Sequence, residues 1–373
     1  MILTREVIII VVQICVIMKR RKFIQTSGIG TASLFIPNIL VRRKKESLGV
    51  ALVGLGYYSS DLLAPALQQT KHCHLAGIVT GGKSKIPIWQ EKYGIPDQNV
   101  YHYDTIDQIA DNPDIDVIYI VLPTGLHAQY AIKAANTGKH VWCEKPMART
   151  AQECQDIIDA CYKNRVKLSI GYRMQHEPNT QTVMHWAHTQ PYGKIRTIKA
   201  EAGYYDGRTD HWKLKKEMGG GAMYDMGVYS LNAMRYATGL EPIAVTAQQS
   251  TNRPEIFTEV DETTIFQLEF PEGILANGKT SFGESLNDLS VQCERGDYYL
   301  RPFQAYSGIK GKASDGTLLN QVIPNQQAKQ MDDDALAIME QKDVLVPGEE
   351  GMRDITIVEA IYRSAKLGER VLL

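Results

Sequence analysis

Three side chains in this sequence combine into proton chemistry. Lys145 lies in Glu144-Lys145-Pro146, directly after the apolar run His140-Val141-Trp142-Cys143. The run predicts a strand, and the proline stops it, having no N–H for the ladder and holding the preceding residue extended. Lys145 is thereby presented at a strand's carboxyl end, where open α/β sheets place their ligands. Asp225 and Tyr229 follow the glycines Gly219, Gly220 and Gly221 and stand four residues apart, on one face if the segment is helical. A carboxylate and a phenol projecting together suit orientation and proton transfer at a carbinol carbon. A free phenol ionises near pH 10, so it serves as a base at neutral pH only beside a cation, and Lys145 is placed to be that cation. Tyr229 reads equally as a half-buried packing aromatic, and Lys145 taken alone as a solvated surface lysine.

The elements that must position these groups are legible in order. Gly49 to Val53 predicts a buried strand that runs into Gly54-Leu55-Gly56-Tyr57-Tyr58-Ser59 and a helix. Gly54 permits a tight turn and Gly56 lets backbone N–H groups approach a pyrophosphate, although Ser59 stands where a third small residue, Gly or Ala, is usual. A second strand, Leu75 to Val79, ends in Thr80-Gly81-Gly82-Lys83-Ser84-Lys85. An NAD site would place an acid there for the ribose hydroxyls; hydroxyls and two lysines suit a 2′-phosphate, hence NADP. Val117 to Leu122 is an uninterrupted apolar run, as a central parallel strand requires. Pro123 to His127 follows and opens a helix over Ala128 to Asn136, with His127 either a ligand contact or a hydrogen-bonded structural residue. A helix over Thr150 to Asn164 and a strand over Lys167 to Gly171, ending in Tyr172-Arg173, complete the alternation.

From Ile195 to Leu300 the pattern changes to strand-like alternation, in Lys199 to Ala202, Ile265 to Phe270 and Leu289 to Cys293. The expected fold is α/β: an N-terminal Rossmann domain, a doubly wound parallel sheet, over 49–170, and a C-terminal α/β domain over 171–373 with a large, mainly antiparallel open sheet. Helices predicted at Gln326 to Gln341 and Met352 to Lys366 either cover that sheet or return to the first domain.

At 373 residues the chain suggests about two domains. With 41 Lys plus Arg against 42 Asp plus Glu, it carries no field of one sign that would recruit nucleic acid or an anionic surface, so the partner is small. The cysteines, Cys15, Cys73, Cys143, Cys154, Cys161 and Cys293, show neither zinc-site spacing nor disulfide density, and no metal is expected. Cys154 and Cys161, two turns apart on one predicted helix, read as buried thiols. Residues 1–48 read as an export leader and linker. Val7 to Ile17 is too short to span a membrane, and Arg20-Arg21 ahead of Phe23 and a weakly apolar stretch resembles a twin-arginine signal, hence a periplasmic address. A basic, unstructured N-terminus in a cytoplasmic protein is the alternative, and Met18 is an alternative start.

Gly54-x-Gly56, Glu144-Lys145-Pro146 and Asp225-x-Gly227-x-Tyr229 together resemble the Gfo/Idh/MocA oxidoreductase family, and within it the glucose-fructose oxidoreductase branch. The resemblance extends from Gly49 to the end and includes Pro347-Gly348-Glu349-Glu350-Gly351-Met352. It implies a catalytic lysine at Lys145, an orienting aspartate at Asp225, and the tyrosine of that branch at Tyr229, where most members have histidine. The set assigned to the cofactor, NADP, is Gly54, Gly56, Tyr57, Thr80, Lys83, Lys85, Pro123, His127, Glu144, Lys145 and Arg173. Tyr172, Trp212 and Tyr229 are assigned to the substrate. The resemblance implies oxidation of a pyranose at C1 to a lactone, return of the hydride to a second sugar through retained NADP, and a homo-oligomer, dimer or tetramer. The branch has a long proline-rich arm after its export signal; only Asn38 to Leu48 stand there in this chain. An ordinary cytoplasmic sugar or inositol dehydrogenase, a redox-assisted glycosidase and a non-catalytic sugar-sensing regulator stay open, although intact Lys145, Asp225 and Tyr229 speak against the last.

Overall fold

The computed structural model describes residues 45–373, so the reading of Arg20-Arg21 as an export signal lies outside the described residues. Short apolar runs make the first sheet: β1 (Leu48–Val53), β2 (Cys73–Val79), β3 (Val100–Tyr101), β4 (Val117–Ile120), β5 (His140–Cys143) and β6 (Leu168–Ile170). All pair in parallel, in the order β3-β2-β1-β4-β5-β6, the arrangement of a dinucleotide-binding sheet with its crevice above β1 and β4. Every residue of β4 is buried, as its unbroken apolar sequence requires.

Between the strands run α1 (Ala64–Leu67), entered through a π-helical turn at Tyr58–Leu63, then α2 (Lys85–Tyr93), α3 (His127–Asn136) and α4 (Ala151–Asn164). Thr150 caps α4 by accepting a hydrogen bond from the Glu153 N–H at 3.1 Å. Cys154 and Cys161 are buried free thiols on that helix, facing the sheet.

After α5 (Pro178–Thr189) the second sheet begins with β7 (Ile195–Gly203). α6 (Val228–Thr238) crosses its inner face, and β8 (Ala244–Ser250), β9 (Thr263–Glu269), β10 (Leu275–Ser281), β11 (Leu286–Cys293), β12 (Gly296–Leu300), β13 (Gly311–Ala313) and β14 (Leu318–Leu319) build the rest. With the C-terminal β15 (Val371–Leu372) this sheet has nine strands, antiparallel except for the pair β7 and β10. Period-two alternation sets its inner face: Phe266 and Leu268 point into the core while Ile265 lies exposed on the other side. Small inner residues, Ala200, Ala202 and Ala276, let α6 approach closely.

The two helices of the tail do different things. α7 (Gln326–Met339) returns to the first domain, packing Ala328, Met331 and Ala335 against a core with Leu52, Tyr119 and Trp142. α8 (Gly348–Leu367) packs on both α4 and β8 and so joins the domains. Residues 45–373 consequently form one compact unit.

Candidate active site

A cavity of about 660 Å³ opens above the carboxyl ends of β1, β4 and β5 and is closed on the far side by the loop after β7 and the start of α6. One wall is the first domain. Gly54 sits at φ +93°, and a Cβ there would lie 2.4 Å from the Val121 carbonyl oxygen, so only glycine turns the chain this closely under β4. Gly56 is the opposite case: a Cβ would meet nothing within 4 Å, which leaves the backbone beside it open to a ligand. Ser59 replaces the usual small residue without loss, because its buried hydroxyl donates to the Gly54 carbonyl at 2.5 Å.

Tyr57, Thr80, Lys85, Pro123, Glu144 and Lys145 line the same wall. Thr80 is buried, its hydroxyl accepting from the Gly82 N–H at 3.1 Å, and Lys85 Nζ reaches the Leu55 carbonyl at 2.6 Å, which holds an ammonium against the glycine turn. Exposed glycine backbone after β1 and a hydroxyl and a cation from the turn after β2 together fit a dinucleotide phosphate, with Gly54, Gly56, Thr80 and Lys85 as the residues that would hold it.

Opposite lie Tyr229, Asp225, Trp212, Lys213, Arg208 and Tyr306. Asp225 stands in a π-helical turn, Met223–Gly227, and Tyr229 in the first turn of α6. The Asp225 carboxylate accepts from Lys213 Nζ at 2.7 Å and from the Tyr204 hydroxyl at 3.0 Å. Burial alone would raise this acid, but the charges of Lys213 and then Lys145 outweigh it and hold the carboxyl below its usual range. The Asp225 backbone carbonyl takes the remaining contact, accepting from Lys145 Nζ at 2.8 Å. Lys145, carried on a cis Lys145–Pro146 peptide, thus reaches across the cavity, with its Nζ 4.1 Å from the centre of the Tyr229 ring.

The cation expected beside the phenol is in place, but the hydroxyl itself is bonded to a second cation. Lys145 covers the ring face, and the group bonded to the hydroxyl is Arg173, whose Nη1 donates to Tyr229 Oη at 2.5 Å. Burial raises the phenol, but Arg173 and, after it, Lys145 outweigh both burial and the nearby Glu144 charge, holding Tyr229 below the ordinary phenol value. Glu144 is itself pushed up by burial, partly offset by the Tyr119 hydroxyl that donates to Oε1 at 2.6 Å.

Four assignments change. Arg173, assigned to the cofactor, is only 1% exposed and lies behind Tyr229, outside the cavity lining. His127 is equally buried, with Nδ1 2.9 Å from the Pro146 carbonyl and Nε2 2.8 Å from the Leu122 carbonyl, so it ties the ends of β4 and β5 together rather than reaching a ligand. Lys83 is exposed at the start of the following turn and does not line the cavity. Tyr172, assigned to the substrate, is buried beside Asp354 in the joint with α8. Tyr204, Lys213 and Tyr306 were missed. Tyr204 and Lys213 flank a polar loop at the end of a predicted strand, which is a signal of a site loop; Tyr306, in an aperiodic stretch, carries none.

Fold and cavity define a class: a two-domain enzyme whose first domain fits a dinucleotide and presents a lysine, and whose second brings a tyrosine over it. Residues 48–172 match the oxidoreductase family with NAD-binding Rossmann fold, and residues 180–299 match the GFO/IDH/MocA C-terminal domain. The chain belongs to the Gfo/Idh/MocA oxidoreductase family. It is 37% identical to an aldose-aldose oxidoreductase of Caulobacter crescentus whose crystal structure holds glycerol, with a TM-score of 0.85 over 88% of this chain and 100% of that one. It is 26% identical to a D-xylose 1-dehydrogenase [NADP(+)] of Haloarcula marismortui over 87% of this chain and 92% of the relative. A levoglucosan dehydrogenase in complex with NADH and levoglucosan shares the fold, at 20% identity and a TM-score of 0.76 over 87% of this chain and 99% of that one.

Proposed function

We propose that this oxidoreductase acts on a CH–OH group of a sugar with NADP, oxidising a pyranose at C1 to the lactone and returning the hydride to a second sugar without releasing the nucleotide. The observation that carries the proposal is the meeting of Lys145, Asp225 and Tyr229 in the cavity that also contains the Gly54-x-Gly56 turn. A bound nicotinamide supplies the acceptor for the hydride. Everything else is the work of this chain's side chains. Tyr229 takes the proton of the substrate hydroxyl and gives it back to the acceptor sugar on the return. Lys145, anchored on the Asp225 carbonyl and lying over the phenol ring, fixes the ring and favours its ionised form.

The wall opposite the glycine turn supports a neutral polyol as substrate. Arg208 is paired with Asp206 and Lys213 with Asp225, so this wall offers hydrogen bonds with its charges already balanced. NADP is supported by the missing acid after β2 and by Lys85 against the turn. The likeness to an aldose-aldose oxidoreductase supports exchange between two sugars. Export by the twin-arginine route fits the same scheme, because that machinery carries folded cargo and a nucleotide loaded beforehand would have to be reused.

Denaturing the purified protein and analysing what it releases tests the proposal. NADP(H) is expected, and in the native protein an aldose should raise the reduced-nicotinamide absorbance that a second sugar then bleaches. NAD as the sole nucleotide, or absorbance indifferent to every sugar, would overturn it.

A further inference from the structure

Arg173 is a cation in the wrong place for an ordinary arginine. It is buried at 1% exposure, and among the described residues no carboxylate forms an ion pair with it. Its Nη1 donates to the Tyr229 hydroxyl at 2.5 Å, while its Nε has no partner. Its Cζ lies 4.7 Å from the centre of the Tyr306 ring and 5.3 Å from that of Tyr229. A buried guanidinium without a counter-ion is strongly disfavoured; Glu144 feels its charge without forming an ion pair with it, and the groups in contact with it that can become anions are phenols.

We infer that Tyr229 is the counter-ion of Arg173: the guanidinium holds the phenol as a phenolate, so the enzyme rests with its base already ionised, and Arg173 is a positioning residue for the proton step. This rests on the reading of Tyr229 as the proton acceptor. When a substrate hydroxyl arrives, its O–H bond breaks as the phenol O–H forms, and Arg173 keeps all its protons, bonding afterwards to a neutral phenol. The pair is then least satisfied, which favours return of the proton to the acceptor sugar.

The groups facing Tyr229 come from several elements. Lys145, after β5, lies 4.1 Å over the ring and favours the phenolate as Arg173 does. Glu144, beside it, opposes ionisation. Tyr58 from the π-helical turn and Tyr306 from the loop after β12 are neighbouring phenols that burial pushes up, so they stay neutral while Tyr229 ionises. The Asp225 carboxylate is already engaged by Lys213 and Tyr204.

The test is a pH titration of tyrosine ionisation by ultraviolet difference absorbance on the full chain, with no sugar present. One phenol is expected to ionise below all the others in the wild type and to be missing from Tyr229→Phe. Arg173→Met should move that ionisation up by about one to three pH units, Lys145→Met by less, and Arg173→Lys should recover part of the shift. If Arg173→Met does not fold, Arg173→Gln, which keeps a donor but not the charge, carries the same comparison. A titration that does not move on loss of the guanidinium charge overturns the inference, as does an Arg173→Lys titration displaced as far as that of the uncharged variant. Wild-type turnover in Tyr229→Phe would instead overturn the base assignment beneath it; the two failures are separable because the titration needs no substrate.

Discussion

The two walls of the cavity are built on different principles. The first-domain wall is largely main chain: glycine backbone with open space beside Gly56, strand ends, and two lysines, Lys85 and Lys145, each bonded to a carbonyl. The opposite wall is side chains holding side chains, with Arg208 on Asp206, and Lys213 and Tyr204 both on Asp225. A wall of backbone recognises what is common to all dinucleotides, whereas a wall of paired side chains can be rebuilt for one substrate. Damage to the second should therefore leave nucleotide binding intact, and damage to the first should not.

The largest expected effect is on the second wall. Tyr229→Phe should lower kcat by about 10²- to 10⁴-fold, since it deletes the proton acceptor, while nucleotide affinity measured by fluorescence titration stays as in the wild type. Equal loss of nucleotide affinity would break the division between the walls.

The first wall is sharpened by its two glycines. Gly54→Ala should destabilise the protein by about 1–3 kcal/mol, because it places a Cβ against the Val121 carbonyl at a positive φ. Gly56→Ala should keep the melting temperature of the wild type and weaken the nucleotide, since its Cβ enters open space where the ligand would lie. Thermal melts with and without nucleotide separate the two.

Lys213→Met tests the charge balance of the second wall through pH. The Asp225 carboxyl is held low against burial by Lys213 first and Lys145 second, so removing Lys213 should raise it. The carboxylate is then lost at a higher pH, and the acidic limb of the kcat/KM profile should move up by about one to three pH units. An unmoved acidic limb would show that the state of Asp225 does not limit activity.

The smallest effects belong to the lysines after β2. Lys85→Glu should weaken NADP about tenfold or more, the usual scale for losing a charged contact, and shift preference toward NAD. Lys83→Glu should change neither, because Lys83 is exposed outside the cavity. Equal effects from both would mean that the phosphate lies farther out than the turn.

These contrasts also explain what could be read in advance. The motif carrying Lys145 was legible because a strand end is local: an apolar run, then a proline. The turn at Gly54 was legible for the same reason, and Asp225 and Tyr229 shared a helical spacing. Nothing local says that Arg173 meets Tyr229 across 56 positions, or that Lys213 rather than Lys145 bonds the Asp225 carboxylate. His127 shows the converse error. Its place at the start of a helix invited a ligand, yet two backbone carbonyls claim both ring nitrogens once β4 and β5 are side by side.

By itself the sequence determined the parallel first sheet, the glycine turn, the presence of a second, mainly antiparallel sheet, and the residue types available for proton transfer. Those follow from periodicity and from the backbone limits of glycine and proline, which act within a few residues. Only the tertiary structure decided which cation touches the phenol, which lysine balances Asp225, and that Tyr172 and Arg173 lie behind the cavity rather than in it. Charge interactions fall off with distance and compete with the desolvation cost of burial, so their outcome depends on neighbours that the chain brings together only when the two domains close on α8.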